Sequence, residues 1–386
     1  MAASVGLTTM LGKQVFDITQ RELDLGFLGL AEFLPTLILA PLGGSLSDRF
    51  DRRYLIFAGL TVNVVASTLL AVYATTDPTS VGPIFGLVGA LGAGQGLLFG
   101  SMRALPADLS PNAVISRVMA LRSASWQAGI VVGPVAGGFL YVLGVPVPLV
   151  VASIVLALAA ALTLLLPRST VAKNDDVQGP IATIVSAVEG LRFIRKTPLL
   201  MGAISLDLFA VLLGGAIALL PAIAEERLGV GAVGLGWLRA SVGIGAATMT
   251  LIIAWKPIER RIGVWLLSAV GVFGFTTVLL GLTRSYAVAL LLLGVMSAAD
   301  AISVYIRSTI VPLATPANMR GRVLSVETVF IGASNELGAF QSGVAGAILG
   351  VSGAVIFGGV GTLVVVALWA WWFPHLRQAD RFERVT

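Results

Sequence analysis

The chain has 386 residues, of which 57% are hydrophobic and 12% charged, and its mean hydropathy is +0.95. A soluble domain of this length could not hide so much apolar surface, so the composition excludes one and predicts a polytopic, all-α membrane protein. A net charge of +5 would point to nucleic acid in a soluble chain, but the excess lies in short loops where topology explains it, and zero cysteines exclude disulfides and thiolate chemistry.

Apolar segments fall near 1–16, 25–47, 54–76, 82–104, 113–141 and 146–167, and again near 198–224, 229–255, 263–283, 286–311, 321–348 and 351–373. Each reads as a span of about 20 residues. Alternation of period two is absent, which excludes an outer-membrane barrel, and residues 1–16 lack the basic start of a cleavable signal peptide. The expected organisation is a six-helix bundle over 1–167, a cytoplasmic linker over 168–197 with a short amphipathic helix near 181–196, a second bundle over 198–374, and a polar tail over 375–386 that frays. Twenty of the 25 basic residues collect on one side, including Arg49, Arg52, Arg53, five linker cations and the tail arginines. That bias puts the linker and both termini in the cytoplasm.

The halves repeat. Pro111–Gly138 aligns with Pro316–Gly343 at an offset of 205, pairing Arg117 with Arg322, Gly133 with Gly338 and Gly138 with Gly343. Asp51-Arg52-Arg53 matches Glu259-Arg260-Arg261, and Gly26 matches Gly234, both at an offset of 208. Same-direction repeats of six helices are one way transporters are built. By the repeat, the first span should begin about eight positions before Met1, so either its start is missing, the favoured expectation, or it is unusually short.

Residues 44–53, Gly-Ser-Leu-Ser-Asp-Arg-Phe-Asp-Arg-Arg, form a charged turn between the second and third spans. Glycine at Gly44 permits a close helix approach, Asp48 can accept from a helix start, and Arg49, Arg52 and Arg53 can bind carboxylates or lipid phosphate. A plain basic loop would need no more. The string resembles the signature loop of the major facilitator superfamily of transporters, with Asp51 where that pattern usually has glycine. In the fifth span, Gly129, Gly133, Pro134, Gly137 and Gly138 resemble the glycine–proline motif of its antiporters. Physically these residues allow close packing and a bend, and ordinary helix packing would also select them. Arg103-Ala-Leu-Pro-Ala-Asp-Leu, Leu206-Asp-Leu-Phe, Arg320-Gly-Arg-Val-Leu-Ser and Ser334-Asn-Glu-Leu-Gly resemble the drug:proton antiporter-3 branch, with enterobactin (siderophore) exporters nearest in pattern. The resemblance covers essentially the whole chain. It implies two six-helix bundles related by a pseudo-two-fold, a multi-pass inner-membrane monomer, and proton-coupled efflux of an amphiphilic small molecule by alternating access. A lysophospholipid or other uptake carrier on the same fold is the alternative reading, and a membrane enzyme or receptor is a third that lacks any catalytic cluster.

Ionisable residues within spans are functional suspects by default. Glu32, Asp207, Arg239, Asp300, Arg307, Glu327 and Glu336 qualify, and Asp17 and Arg21 sit at the outer end of the first span. Each carboxylate is either half of a structural pair, such as Asp207–Arg239 or Glu32–Arg239, or a proton carrier. Asp207 and Asp300 come first, with Arg239 and Arg307 as partners. His375 is the only histidine, so histidine–metal clusters and Ser-His-Asp triads are excluded. No G-x-x-x-x-G-K is present, which argues against ATP-driven transport. No cofactor, metal or nucleic acid is expected; the partners are substrate, protons and the bilayer.

Overall fold

The computed structural model describes residues 1–47, 50–110, 114–167 and 180–382; these are helices joined by short connections, with no strand among the described residues. Nine helices among them are long and apolar enough to cross a membrane. Their outward faces carry large apolar side chains, with Ile38, Leu158, Leu251 and Leu291 all exposed. In water such faces would be a liability; against lipid they are the expected surface.

α1 (Ala2–Thr19) runs past the apolar stretch read from the sequence, because Lys13 and Asp17, one turn apart, pair and carry the helix through its charged end. α2 (Glu22–Ser47) opens with Glu22 and Asp24 at its positive pole. α3 (Arg52–Ala74), α4 (Gly82–Leu109), α5 (Ile115–Val142) and α6 (Pro146–Leu164) follow. α5 continues unbroken through Pro134. α7 (Pro180–Lys196) is the short helix of the linker, with Arg195 and Lys196 in its last turn.

α8 (Pro198–Leu213) does not continue as one regular span. The chain leaves the α-helix at Gly214 and passes through a 3-10 turn (Ala216–Leu219), a single turn α9 (Leu220–Ala222) and a π turn (Ile223–Arg227). Two adjacent glycines and Pro221 make the break possible, and close neighbours keep it there. A Cβ on Gly214 would lie 2.5 Å from the Phe273 ring, and one on Gly215 would lie 2.5 Å from the Gly338 carbonyl. α10 (Ala232–Trp255), α11 (Ile262–Leu282) and α12 (Tyr286–Leu313) are regular. α13 (Arg320–Trp372) is two spans in one run, divided at Gly350, whose φ of 70° and ψ of 166° reverse the chain where a side chain would be strained.

Two compact units result, Met1–Val177 with Val230–Ala240, and Gln178–Gly229 with Ser241–Thr386. In the first, Leu11, Val15, Leu70, Ile84 and Leu149 form the main core across α1, α3, α4 and α6. In the second, Leu200, Leu206, Leu266, Ile306 and Val323 join α8, α11, α12 and α13.

The tail departs from expectation. Pro374–Gln378 forms α14, and Leu376 is fully buried. The Gly263 and Ile262 N–H groups donate to the Ala379 and Asp380 carbonyls at 3.0 and 3.4 Å, and the Arg261 N–H donates to Asp380 Oδ1 at 3.1 Å. Phe382 meets Tyr305 edge-on with centroids 6.1 Å apart. Asp380 therefore caps α11 from another part of the chain, and residues 374–382 are docked rather than frayed.

Candidate functional site

The signature turn is described only in part, since Asp48 and Arg49 lie outside the described residues. Asp51, which stands where the family pattern usually has glycine, has a local role. It is the N-cap of α3, with φ −59° and ψ 119°, and its Oδ1 accepts from the Arg53 N–H at 3.1 Å. Its Oδ2 also accepts from the Arg53 guanidinium at 2.7 Å, while Arg53 Nη1 donates to the Leu166 carbonyl at 2.6 Å. Arg53 thereby joins the start of α3 to the chain just beyond α6. Arg52 pairs with Asp108 near the end of α4, so the two arginines hold the turn to two different helix ends. Gly44 lies near the end of α2, where Gly100 of α4 approaches its backbone. The backbone of Arg103 belongs to α4, but its side chain lies outside the described residues.

The glycine motif of α5 is a packing surface on both sides. A Cβ on Gly133 would lie 2.4 Å from the Ala2 carbonyl of α1, and one on Gly138 would lie 2.5 Å from the Ala232 carbonyl of α10. Gly129 and Gly137 also face the start and middle of α1, and Gly236 approaches the Pro134 carbonyl. Backbones this close leave no room for any side chain. Glu32 of α2 and Arg239 of α10, both partly buried in this unit, interact electrostatically.

The intramembrane charges of the second unit converge. Arg307 Nη2 of α12 donates to Asp207 Oδ1 of α8 at 2.8 Å, and Nη1 lies 4.0 Å from Glu327 Oε1 of α13. The three residues are 4%, 5% and 7% exposed for Arg307, Asp207 and Glu327. Asp300, two turns before Arg307 on the same face of α12, interacts electrostatically with both Arg307 and Asp207. Asp207 thus takes Arg307 as its partner, where the sequence had offered Arg239. Glu336 is half-buried in α13. At 1.5 Å per residue, the cluster lies about 9–14 Å in from the ends of α8, α12 and α13 at Pro198, Leu313 and Arg320. With Asp300 about 20 Å in from Leu313, three carboxylates share one guanidinium among the described residues, an arrangement that leaves negative charge uncompensated unless a proton or another cation joins it. The sequence supplied these residue types but not their grouping, because Asp207 and Arg307 are a hundred positions apart. The break at Gly214–Gly215 went unread for another reason, since the run around it is uniformly apolar.

The Major Facilitator Superfamily family model matches residues 2–326. The chain belongs to that superfamily. Among curated relatives, it is 25% identical over 281 residues to the uncharacterized MFS-type transporter YfiS of Bacillus subtilis (strain 168), covering 72% of this chain and 64% of that one. It is 29% identical over 117 residues to the quinolone resistance protein NorA of Staphylococcus aureus (strain Mu50 / ATCC 700699), covering 30% and 29%. The chain therefore aligns with less than two thirds of the length of either relative. Its backbone resembles the nucleoside transporter NupG, with a TM-score of 0.75 at 12% identity over 96% of each chain. It also resembles the human organic anion transporter MFSD10, at 0.61 and 18% over 95% and 98%. A third neighbour is a D-xylose-proton symporter, at 0.67 and 16% over 96% of each. The chain has the major facilitator fold, with the apolar helices of a multi-pass membrane protein.

Proposed function

We propose that the protein is a secondary active exporter that exchanges protons for an amphiphilic small molecule. The observation that carries this reading is the buried Asp207–Arg307–Glu327 cluster with Asp300 beside it. A lone structural ion pair needs one acid and one base; a surplus of carboxylates in an apolar bundle is the composition of a proton relay. Efflux rather than uptake is supported by the alignment with NorA, whose name marks it as a resistance protein. The siderophore reading rests on the sequence resemblance of the Arg103 and Arg320 segments to that branch. The turn at 44–53 holds one state of the cycle, and the linker and both termini lie in the cytoplasm.

The test uses purified protein in proteoliposomes with an imposed pH gradient. A fluorescent quinolone and enterobactin serve as two probes. Gradient-driven movement of either that is lost in Asp207→Asn or Asp300→Asn, with downhill exchange retained, supports the coupling role. Full coupling in both variants removes it. Movement in the direction of the proton flux would replace export with uptake.

A further inference from the structure

The internal repeat reaches past the spans into the tail. In the first unit, the turn at the start of α3 grips the chain that leaves α6: Asp51 caps α3, and Arg53 Nη1 donates to the Leu166 carbonyl at 2.6 Å. At the offset of 208 that turn falls on Glu259-Arg260-Arg261, and Leu166 falls on Pro374, the first residue of α14. The second unit makes the same connection by other means. Glu259 is exposed, and Arg261, the N-cap of α11, stands in the left-handed region with φ 54° and ψ 39° and makes no side-chain cap. Asp380 supplies the cap instead, its Oδ1 accepting from the Arg261 N–H at 3.1 Å while its Oδ2 lies 3.7 Å from Arg260 Nε. The residues aligned with Asp108, the partner of Arg52, are Leu313 at an offset of 205 and Pro316 at 208, so no acid stands there. In each unit, then, the turn before the third span holds the segment that follows the sixth, and in the second unit the acid comes from the tail.

The tail also bridges helix ends that do not close on one another. Leu376 is fully buried, a Cβ on Gly263 of α11 would collide with the Leu376 carbonyl, and Phe382 meets Tyr305 of α12 edge-on. Beneath it lies a cavity of about 500 Å³, walled by Leu199 of α8, Ile262 of α11 and Ile310 of α12, with Ala379, Arg381 and Phe382 on the side of the tail. Protein interiors are close-packed, so a gap of this size leaves the helix ends room to shift once nothing bridges them. A docked terminal segment opens at far less cost than its domain unfolds. Deeper in the unit, Asp207 and Arg307 join α8 and α12, so the tail spans the ends of two helices that carry the charge cluster. We propose that the tail is a conformational strap, docked in one state of the cycle together with the Asp51–Arg53 and Arg52–Asp108 contacts and released in the other. The proposal rests on the alternating-access reading. A contact made in one state alone biases the equilibrium toward that state, and two contacts made in the same state reinforce each other.

Two measurements on the full-length protein in nanodiscs test this. Neither needs substrate or a pH gradient, so failure of the strap is distinct from failure of the export reading, which gradient-driven movement decides. The first is hydrogen exchange of the Arg261 and Gly263 amides, which donate to the tail. Arg52→Ala and Asp108→Ala, both in the other unit, should speed it about tenfold, while the amides in the middle of α11 keep the parent rate. A tail that only completes the fold of its own unit would not respond to either substitution. The second measurement is the distance between spin labels at Lys196→Cys, beside the start of α8, and Ala317→Cys, beyond the end of α12, in a chain with no other cysteine. Both positions are exposed. Asp380→Ala and Phe382→Ala should each raise the share of a second spacing several-fold. Unchanged exchange in both clamp variants, faster exchange throughout the second unit, or an unchanged distance distribution in both tail variants would each overturn the proposal.

Discussion

The Arg307 cluster predicts an asymmetry between its two halves. Replacing Arg307 by Gln removes the only cation among the described residues that faces Asp207, Glu327 and Asp300, and breaking a buried pair this way costs about 3–5 kcal/mol. Replacing Asp207 by Asn leaves Arg307 with Glu327 at 4.0 Å and Asp300 nearby, so the loss is closer to one charge-assisted hydrogen bond, about 1.5–3 kcal/mol. The drop in apparent melting temperature in detergent, followed by size-exclusion of a fluorescent fusion, should therefore be roughly twice as large for Arg307→Gln as for Asp207→Asn. The double variant should recover only part of the Arg307→Gln loss, because Asp300 and Glu327 remain without their cation. A two-partner ion pair behaves differently, with equal losses for the two singles and near-complete rescue in the double. Equal losses would refute the shared-charge reading and return Asp207–Arg307 to the role of a structural lock.

Arg52→Ala should reduce transport while leaving the protein in the membrane, and combining Arg52→Asp with Asp108→Arg should restore part of it; an unchanged rate in Arg52→Ala would remove the turn's assigned role. Gly133→Val places atoms where the Ala2 carbonyl stands 2.4 Å away and should cost about 1–3 kcal/mol, visible as a loss of monodisperse protein, whereas full thermal stability would mean that α1 and α5 can part freely. Leu376→Ala empties a fully buried position and should weaken tail docking by about 2–4 kcal/mol, so a Phe382→Cys reporter should react faster with maleimide in that background; an unchanged rate would mean that Leu376 does not anchor the tail.

Hydropathy made the spans legible because a bilayer forces every backbone polar group into a helix and every outward side chain to be apolar. The same uniformity hid what happens inside a span. Gly214-Gly215 and Pro221 sit within an apolar run, and only neighbours distant in sequence, Phe273 and Gly338, hold the helix broken there. The tail was misread because polar composition says nothing about a single anchor. Leu376 and Phe382 among charged residues are enough when Asp380 finds an uncapped helix start to bond. Asp51 shows the reverse case, where the residue that departs from the family string has a purely local role as the N-cap of α3.

The internal repeat separates packing from chemistry. Gly133 and Gly338, paired at the offset of 205, do the same work in their own units: the first admits the backbone of α1, and the second admits the backbone of α8 at Val211. Duplicated glycines thus carry duplicated helix contacts, because close backbone approach has few substitutes. The charges are not duplicated. At the same offset Asp207 falls on Ala2 and Glu327 on Arg122, so a second three-carboxylate cluster has no counterpart in the first unit. The shared glycine contact is therefore separate from the charge cluster, which only one copy of the repeat carries. The surplus carboxylates of the second unit fit the proposed coupling role, and the Asp207→Asn and Asp300→Asn variants decide between that role and a structural one.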